Sequence, residues 1–196
     1  VSETARAAGA ARANALRVVA RPWNHPDSVG LRDAQRAEIA ERYGNPDSEP
    51  GPAPTGDDIA VFLVAYTAES AEGANVLDGT DGGNGTVGAD GTVGADGTVG
   101  AAVGCGGLRQ LDATSAEIKR MFVRATERGT GVSVAIIRAL EAEAVSRGWT
   151  TLKLETGTAQ PDAVRFYTRE GYEPIAKFGH YVHSDASLCF AKSLAQ

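Results

Sequence analysis

The chain has 196 residues, 42% hydrophobic and 22% charged, a balance that fits an ordinary globular protein and speaks against global disorder. Its formal net charge of −6 argues against a nucleic-acid or anionic-membrane partner, both of which need a basic surface, and favours a cationic small molecule as guest. No apolar run is long enough to span a bilayer and residues 1–14 lack an apolar signal core, so a soluble, cytoplasmic protein is expected.

Residues 1–14, rich in Ala and Arg, read as a flexible N-terminus. Residues 15–23 alternate as a first strand that Pro22 closes. Asp27 and Ser28 then offer caps for a helix running through Leu31, Ile39 and Tyr43, until Gly44, Asn45 and Pro46 stop it. Residues 47–57 carry three prolines and read as loop, with Asp47, Ser48 and Glu49 solvated. Residues 58–67 form a nearly continuous apolar run, as in a central strand covered on both faces.

Residues 69–100 are rich in glycine and hold a six-residue unit, GTVGAD, repeated in tandem from Gly85. Stacked hexapeptide repeats can build a β-helix, but Val87, Val93 and Val99 would supply only about one coil where at least ~3 units are needed, so a flexible loop is expected. Residues 101–111 and 116–124 follow as a hairpin, turned at 112–115. Val132, Ile136, Ile137, Leu140 and Ala144 sit at helical spacing, with Gly148 where a helix-ending glycine belongs. A strand at 150–155, a short helix at 161–170 opened by Pro161, and strands near 173–177 and 187–192 complete the order. Cys105 and Cys189 lie in apolar runs without metal-ligand spacing and read as core residues. The fold class is α/β (α+β): a mixed sheet with helices on both faces, formed by residues 15–196 as one domain.

The strongest chemical signal is a strand, a glycine turn and a helix around Arg128, Gly129, Thr130, Gly131, Val132 and Ser133. Glycines let the backbone approach a ligand, and unpaired amides at a helix start, with the positive end of its dipole, favour a pyrophosphate. A plain tight turn is the alternative. A dinucleotide-binding unit would look similar, but Val134 replaces its third glycine and several strands precede the unit.

From Ala116 to Leu194 the runs AEIKRMFVR, RGTG, LETG, QPDAVRFYTREGY and FGHY resemble the small-molecule type of GCN5-related N-acetyltransferase, abbreviated GNAT, and CGGLR at 105–109 is a further local match. The family's coenzyme A signature, [Gln/Arg]-x-x-Gly-x-[Gly/Ala], reads Arg128 to Ser133 here. The resemblance implies a central, mostly antiparallel sheet of six to seven strands and acetyl-CoA as cosubstrate, with no metal. It implies acetyl transfer by direct attack of a primary amine, and dimerisation of the kind common in the family. By the same resemblance Met121, Phe122, Val123, Arg128 to Ser133 and Gln160, which stands where the family usually has Asn, bind the cosubstrate. Glu117, on the strand face expected to carry Lys119, Met121 and Val123, is the general base, and Tyr167 protonates the departing thiolate. Glu155, His180, Tyr181 and His183 are candidates for the acceptor pocket. A non-catalytic acyl-CoA-binding module and a nicotinamide-dependent oxidoreductase are the alternatives from other classes.

Overall fold

The computed structural model describes residues 16–45, 49–67, 92–93 and 99–194. Strand β1 (Leu16–Ala20) leads into helix α1 (Pro26–Tyr43) and strand β2 (Val61–Thr67). Strands β5 (Ala102–Gln110) and β6 (Ser115–Val123) form the expected hairpin, helix α2 (Val132–Ser146) crosses to β7 (Thr151–Gly157), and helix α3 (Pro161–Arg169) precedes β8 (Glu173–Ile175) and β9 (Ser187–Ser193). Within the glycine-rich segment, β3 (Thr92–Val93) pairs with β4 (Val99–Gly100) as a separate two-stranded sheet. Most of the expected repeat loop, and the expected flexible N-terminus at 1–14, lie outside the described residues.

The other seven strands form one sheet in the order β1-β2-β5-β6-β7-β9-β8, antiparallel at every pair except β6 with β7. This mixed, mainly antiparallel sheet is not the mostly parallel platform of a dinucleotide-binding domain. Its centre is dry on both sides because β2 is apolar at consecutive positions. Leu63 and Ala65 face Ile136, Ile137 and Leu140 of α2, while Phe62, Val64 and Tyr66 join Leu31 of α1 on the opposite face. Both cysteines are buried and free, and burial pushes the Cys105 thiol up to about 12.

Helix α1 begins differently from the sequence reading. Its cap is His25, whose Nδ1 accepts from the Asp27 amide, and Pro26 takes the first helical position, where a missing N–H is harmless. Asp27 lies inside the first turn and accepts from the Tyr66 hydroxyl at 2.7 Å, tying the helix to β2. Gly44, at φ 72°, closes the helix in the left-handed conformation.

Two local features set the shape of the sheet centre. On β5, a Cβ at Gly104 would lie 2.9 Å from Ile136 Cδ1, and one at Gly106 would lie 3.0 Å from Leu140 Cδ1, so α2 rests directly on glycine backbone. On β6, Arg120 and Met121 stand together opposite the single residue Gly106, since Lys119 pairs with Gly107 and Phe122 with Cys105. This is a β-bulge, and Arg120 adopts φ 55° within it. It reverses the side-chain alternation expected of the strand. Val123 therefore joins Ala116 and Ile118 in the α2-side core, instead of sharing a face with Glu117 and Lys119.

The close seat of α2 yields a contrasting pair of stability changes. Gly104→Ala would place its methyl 2.8 Å from the Phe122 carbonyl oxygen as well as against Ile136, and should cost ~2 kcal/mol through overpacking, lowering Tm by ~4–8 °C. Gly30→Ala, in α1 with nothing within 4 Å of the added carbon, should gain up to ~1 kcal/mol of helix propensity and raise Tm by ~2–4 °C. Calorimetric melting of both variants checks this; equal shifts would mean that α2 does not need the glycine seat.

Candidate active site

The parallel pairing of β6 with β7 lasts only from Ser115 and Thr151 to Ile118 and Leu154. Beyond it, past the bulge, the strands no longer pair, and the gap between Lys119–Val123 and Glu155–Gly157 opens two adjoining cavities. A groove of about 510 Å³ runs between α1, the second half of β6, the start of α2 and α3. A smaller cavity of about 170 Å³ lies between the strands on the side of Glu49, Lys119, Glu155 and Ser187. Gln35, Ile39, Met121, Gln160, Ala163 and Tyr167 line both, so the two spaces meet at this ring of side chains.

The larger groove carries most of the expected cosubstrate residues. Met121, Phe122, Val123, Arg128, Gly129, Gly131, Ser133 and Gln160 all line it. Gly129 (φ 78°) and Gly131 (φ 98°) take left-handed conformations that other residues adopt only at a cost, and Gly131 caps α2 with no side chain bonded to the helix start. The first-turn amides are thus left to another partner. Thr130 does not line the groove, because its hydroxyl donates to the Glu127 carbonyl at 2.7 Å, and Val132 faces the core, so its side chain is unavailable to a ligand. The Arg128 guanidinium donates to the Val123 carbonyl at 3.1 Å and pairs with Glu38. Arg42 and Arg169 add positive charge along the same wall.

Three buried side-chain polar atoms among the described residues lack a hydrogen-bond partner, all on α1: Ser28 Oγ, which lines neither cavity, Gln35 Oε1, between the two cavities, and Tyr43 Oη, on the smaller one. Unmatched buried polar atoms are rare in folded proteins, and here the latter two stand where a ligand would lie. Cradle, groove and orphaned atoms together fit an elongated polyphosphate ligand with a polar tail, as coenzyme A is.

The smaller cavity is lined by charge. Glu155 reaches it from β7, its pKa raised by burial against the hydrogen bond from Ser187. Lys119 and Arg120 reach it together from β6, although neighbouring residues on a regular strand face opposite ways; the bulge turns them to one side. Burial brings the Lys119 ammonium down to about 8. Tyr167, at the junction, is almost fully buried, and burial followed by the Glu155 charge pushes its phenol well above the ordinary value.

Glu117 does not open onto either cavity. Its side chain is 0% exposed, with one oxygen taken by Arg109 Nε and Nη2 at 3.1 and 2.5 Å and the other accepting from the Tyr181 hydroxyl at 2.7 Å. Lys119 Nζ lies 3.5 Å away and donates to the Tyr181 oxygen at 2.8 Å. The carboxylate is therefore the anchor of a buried network one layer behind the cavity wall. Tyr181 belongs to that network. His180 and His183 are exposed and line neither cavity, His180 packing instead over Gly51. Glu49, expected to be solvated, pairs with Lys119 and with Arg120 at 3.5 Å. Lys119, Arg120, Arg109 and Glu49 escaped the sequence reading. The only prior signal was that two adjacent cations follow Glu117 in a strand whose remaining residues are apolar apart from Ser115.

Residues 80–172 match the acetyltransferase (GNAT) family. A curated relative, the IAA acetyltransferase of Azospirillum brasilense, is 34% identical over 93 residues, 47% of this chain and 61% of that protein. The match therefore spans about three fifths of the relative's length. Among solved structures, a GNAT-family acetyltransferase of Staphylococcus aureus Mu50 superimposes with a TM-score of 0.61 at 13% identity, covering 92% of this chain and all of that one. A GNAT-family acetyltransferase of Elizabethkingia anophelis with acetyl-CoA bound does so at 0.54 and 12%, covering 92% and 99%. At these identities the structural likeness is one of fold: the seven-stranded mixed sheet with three helices is the GNAT fold. Among the described residues no helix is long and apolar enough to cross a membrane.

The buried network generates a stability prediction. Arg109→Leu strands the Glu117 carboxylate beside half its partners and should cost ~3 kcal/mol, the usual penalty for breaking a buried pair. Adding Glu117→Leu to that variant should recover most of the loss, because no unmatched carboxylate remains. Urea midpoints of the single and double variants decide the matter; a double variant no more stable than the single would show that Arg109 is not needed to balance Glu117.

Proposed function

We propose that the chain is an acetyltransferase of the GNAT family, a reading supported by the family match over residues 80–172, and that it transfers the acetyl group of acetyl-CoA to a primary amine of a small molecule, with residues 15–196 acting as one domain. One observation carries the reading: a groove with an open phosphate cradle and a charged cavity meet at a single buried phenol, Tyr167. A donor and an acceptor held from opposite sides would meet there.

The first-turn amides of α2 and Arg128 would hold the pyrophosphate, and Met121 to Val123 with Gln160 would line the path inward. Acetyl-CoA supplies, when bound, the thioester carbonyl that the amine attacks. An ammonium has no lone pair, so the acceptor must first give up a proton. Of the two carboxyl groups on the cavity, Glu49 is paired with Lys119 and Arg120, while the raised pKa of Glu155 suits it to receive that proton, so we assign Glu155 the role of base. Glu117, buried behind the wall, supports the reaction by fixing Tyr181 and Lys119 in place. This departs from the expected assignment of Glu117 as base, for the reason that both of its oxygens are already bonded. Tyr167, held protonated by burial, carries the proton that the departing sulfur needs. A coenzyme A-binding module without turnover is the second reading, since the groove alone would serve it.

The tests separate these roles. Release of free thiol from acetyl-CoA in the presence of amines distinguishes an enzyme from a binding module. Gly131→Val should abolish coenzyme A binding in calorimetric titration while the protein stays folded, because a β-branched residue does not tolerate φ 98°. Tyr167→Phe should lower turnover by ~10²-fold at every pH. Wild-type turnover should rise with pH as Glu155 loses its proton, and Glu155→Gln should lose most activity where free amine is scarce, with the deficit shrinking toward the pKa of the acceptor. A flat pH profile shared by wild type and Glu155→Gln would remove Glu155 from the mechanism.

A further inference from the structure

The smaller cavity contains an anion site whose occupant is part of the chain. Lys119 and Arg120 are consecutive residues turned to the same side by the bulge, at the cost of a left-handed backbone at Arg120. Such strain in a non-glycine residue persists only where the surroundings enforce it, and it concentrates at sites that hold ligands. Both cations converge on the Glu49 carboxylate.

The anchoring of the partners is unequal. Lys119 and Arg120 sit on a central strand, and the Lys119 side chain is 6% exposed, whereas that of Glu49 is 28% exposed. Among the described residues, 49–54 make no backbone–backbone hydrogen bond outside their own turn geometry; the first such bond in this loop is from Asp58 to Thr55. Glu49 is therefore a carboxylate delivered by a loosely tied loop into a rigid cationic pair. The Tyr181 hydroxyl also lies 3.1 Å from the Glu49 carboxylate, its weaker contact. That hydroxyl has one proton, which goes to Glu117 at 2.7 Å, and its oxygen accepts from Lys119.

The other carboxylates nearby are engaged elsewhere: Glu117 is held by Arg109 and lies 3.5 Å from Lys119 through its other oxygen, and Glu155 across the gap is disposed by burial toward its neutral form. A wall that seats a carboxylate between two basic side chains suits a guest that brings its own anion. We propose that the acceptor is an amino acid whose carboxylate sits between Lys119 and Arg120, in the place held by the Glu49 side chain, with its amine toward Glu155. This deepens the acetyl-transfer reading and rests on it. Glu49 acts as an internal stand-in that keeps the cation pair neutralised until the acceptor displaces it.

The experiment compares common L-amino acids with their α-carboxamides, compounds that differ in the one charge at issue, in acetyl-CoA turnover and, separately, in calorimetric binding to the protein with coenzyme A. With wild type, kcat/KM for the preferred acid should exceed that for its amide by about tenfold or more, as expected for a desolvated charge-assisted contact. Glu49→Gln should lower KM for the acid, because the competing carboxylate is gone. Lys119→Met should bring acid and amide to parity, and Arg120→Gln, on a more exposed side chain, is the substitute should Lys119→Met fail to fold. Equal use of acid and amide by wild type overturns the proposal, as does a rise in KM for the acid in Glu49→Gln, which would make Glu49 a contact of the amine. Should no amine be acetylated, acetyl transfer fails, while calorimetry still decides: binding of the acid and not the amide sustains the cation pair as a carboxylate site, and binding of neither overturns it.

Discussion

A strand in mid-sheet must have its backbone groups bonded on both edges, and β6 is denied this on one edge from Lys119 onward. The bulge at Arg120 bends the strand away from β7, which runs on toward Glu155, and hydrogen-bond demand is left facing a gap instead of a neighbour. Part of it is met by Gln35, whose amide donates to the Met121 carbonyl at 3.1 Å. This explains why α1 crosses here and why its Gln35, Ile39 and Tyr43, spaced four apart, become cavity wall. The remainder of that edge is available to a ligand. Groove, cavity and the ring between them all follow from one interrupted ladder.

The same interruption governs the electrostatics. Charged side chains near the centre of a sheet are costly unless paired, and this centre holds Arg109, Glu117, Lys119 and Glu155 within a few residues of apolar core. The cost is offset by joining Arg109, Glu117 and Lys119 in one connected network with Tyr181 at its middle, while Glu155 has a hydrogen bond from Ser187. The network's cations and anions are divided unevenly between rigid strands and a proline-containing loop, and the proposed acceptor site uses that asymmetry. Tyr167 shows the complementary case. It is surrounded by Phe166 and Tyr172 at 5.2 and 5.7 Å between ring centroids, and the apolar packing keeps its proton in place.

Element order, helix ends and the glycine turn were legible in the residues because each is encoded over a few positions. Gly44, Gly148 and Gly171 adopt the left-handed conformation that their places at helix ends require. The alternation of β2 with no polar face required cover on both sides, and α1 and α2 supply it. The groove-lining residues of β6, Met121 to Val123, came from the family resemblance and not from a local pattern. Helix α1 was read two or three residues too late at its start because Asp27 and Ser28 are stronger cap residues by type than His25, and Pro26 overrides that preference.

By itself, then, the sequence determined the secondary elements, the two-faced sheet and the glycine turn that opens α2, all of which rest on interactions between residues a few positions apart. Tertiary structure alone decided which carboxyl group faces the cavity. Alternation along β6 put Glu117 with Lys119, Met121 and Val123, but a bulge is a property of two paired strands, set by the Gly106 that both Arg120 and Met121 oppose. The network joining Glu49, Arg109, Glu117, Lys119 and Tyr181 closes over separations of up to 132 positions. No local pattern records such a contact, because its energy exists only once the sheet has brought the charges out of water and within reach of one another.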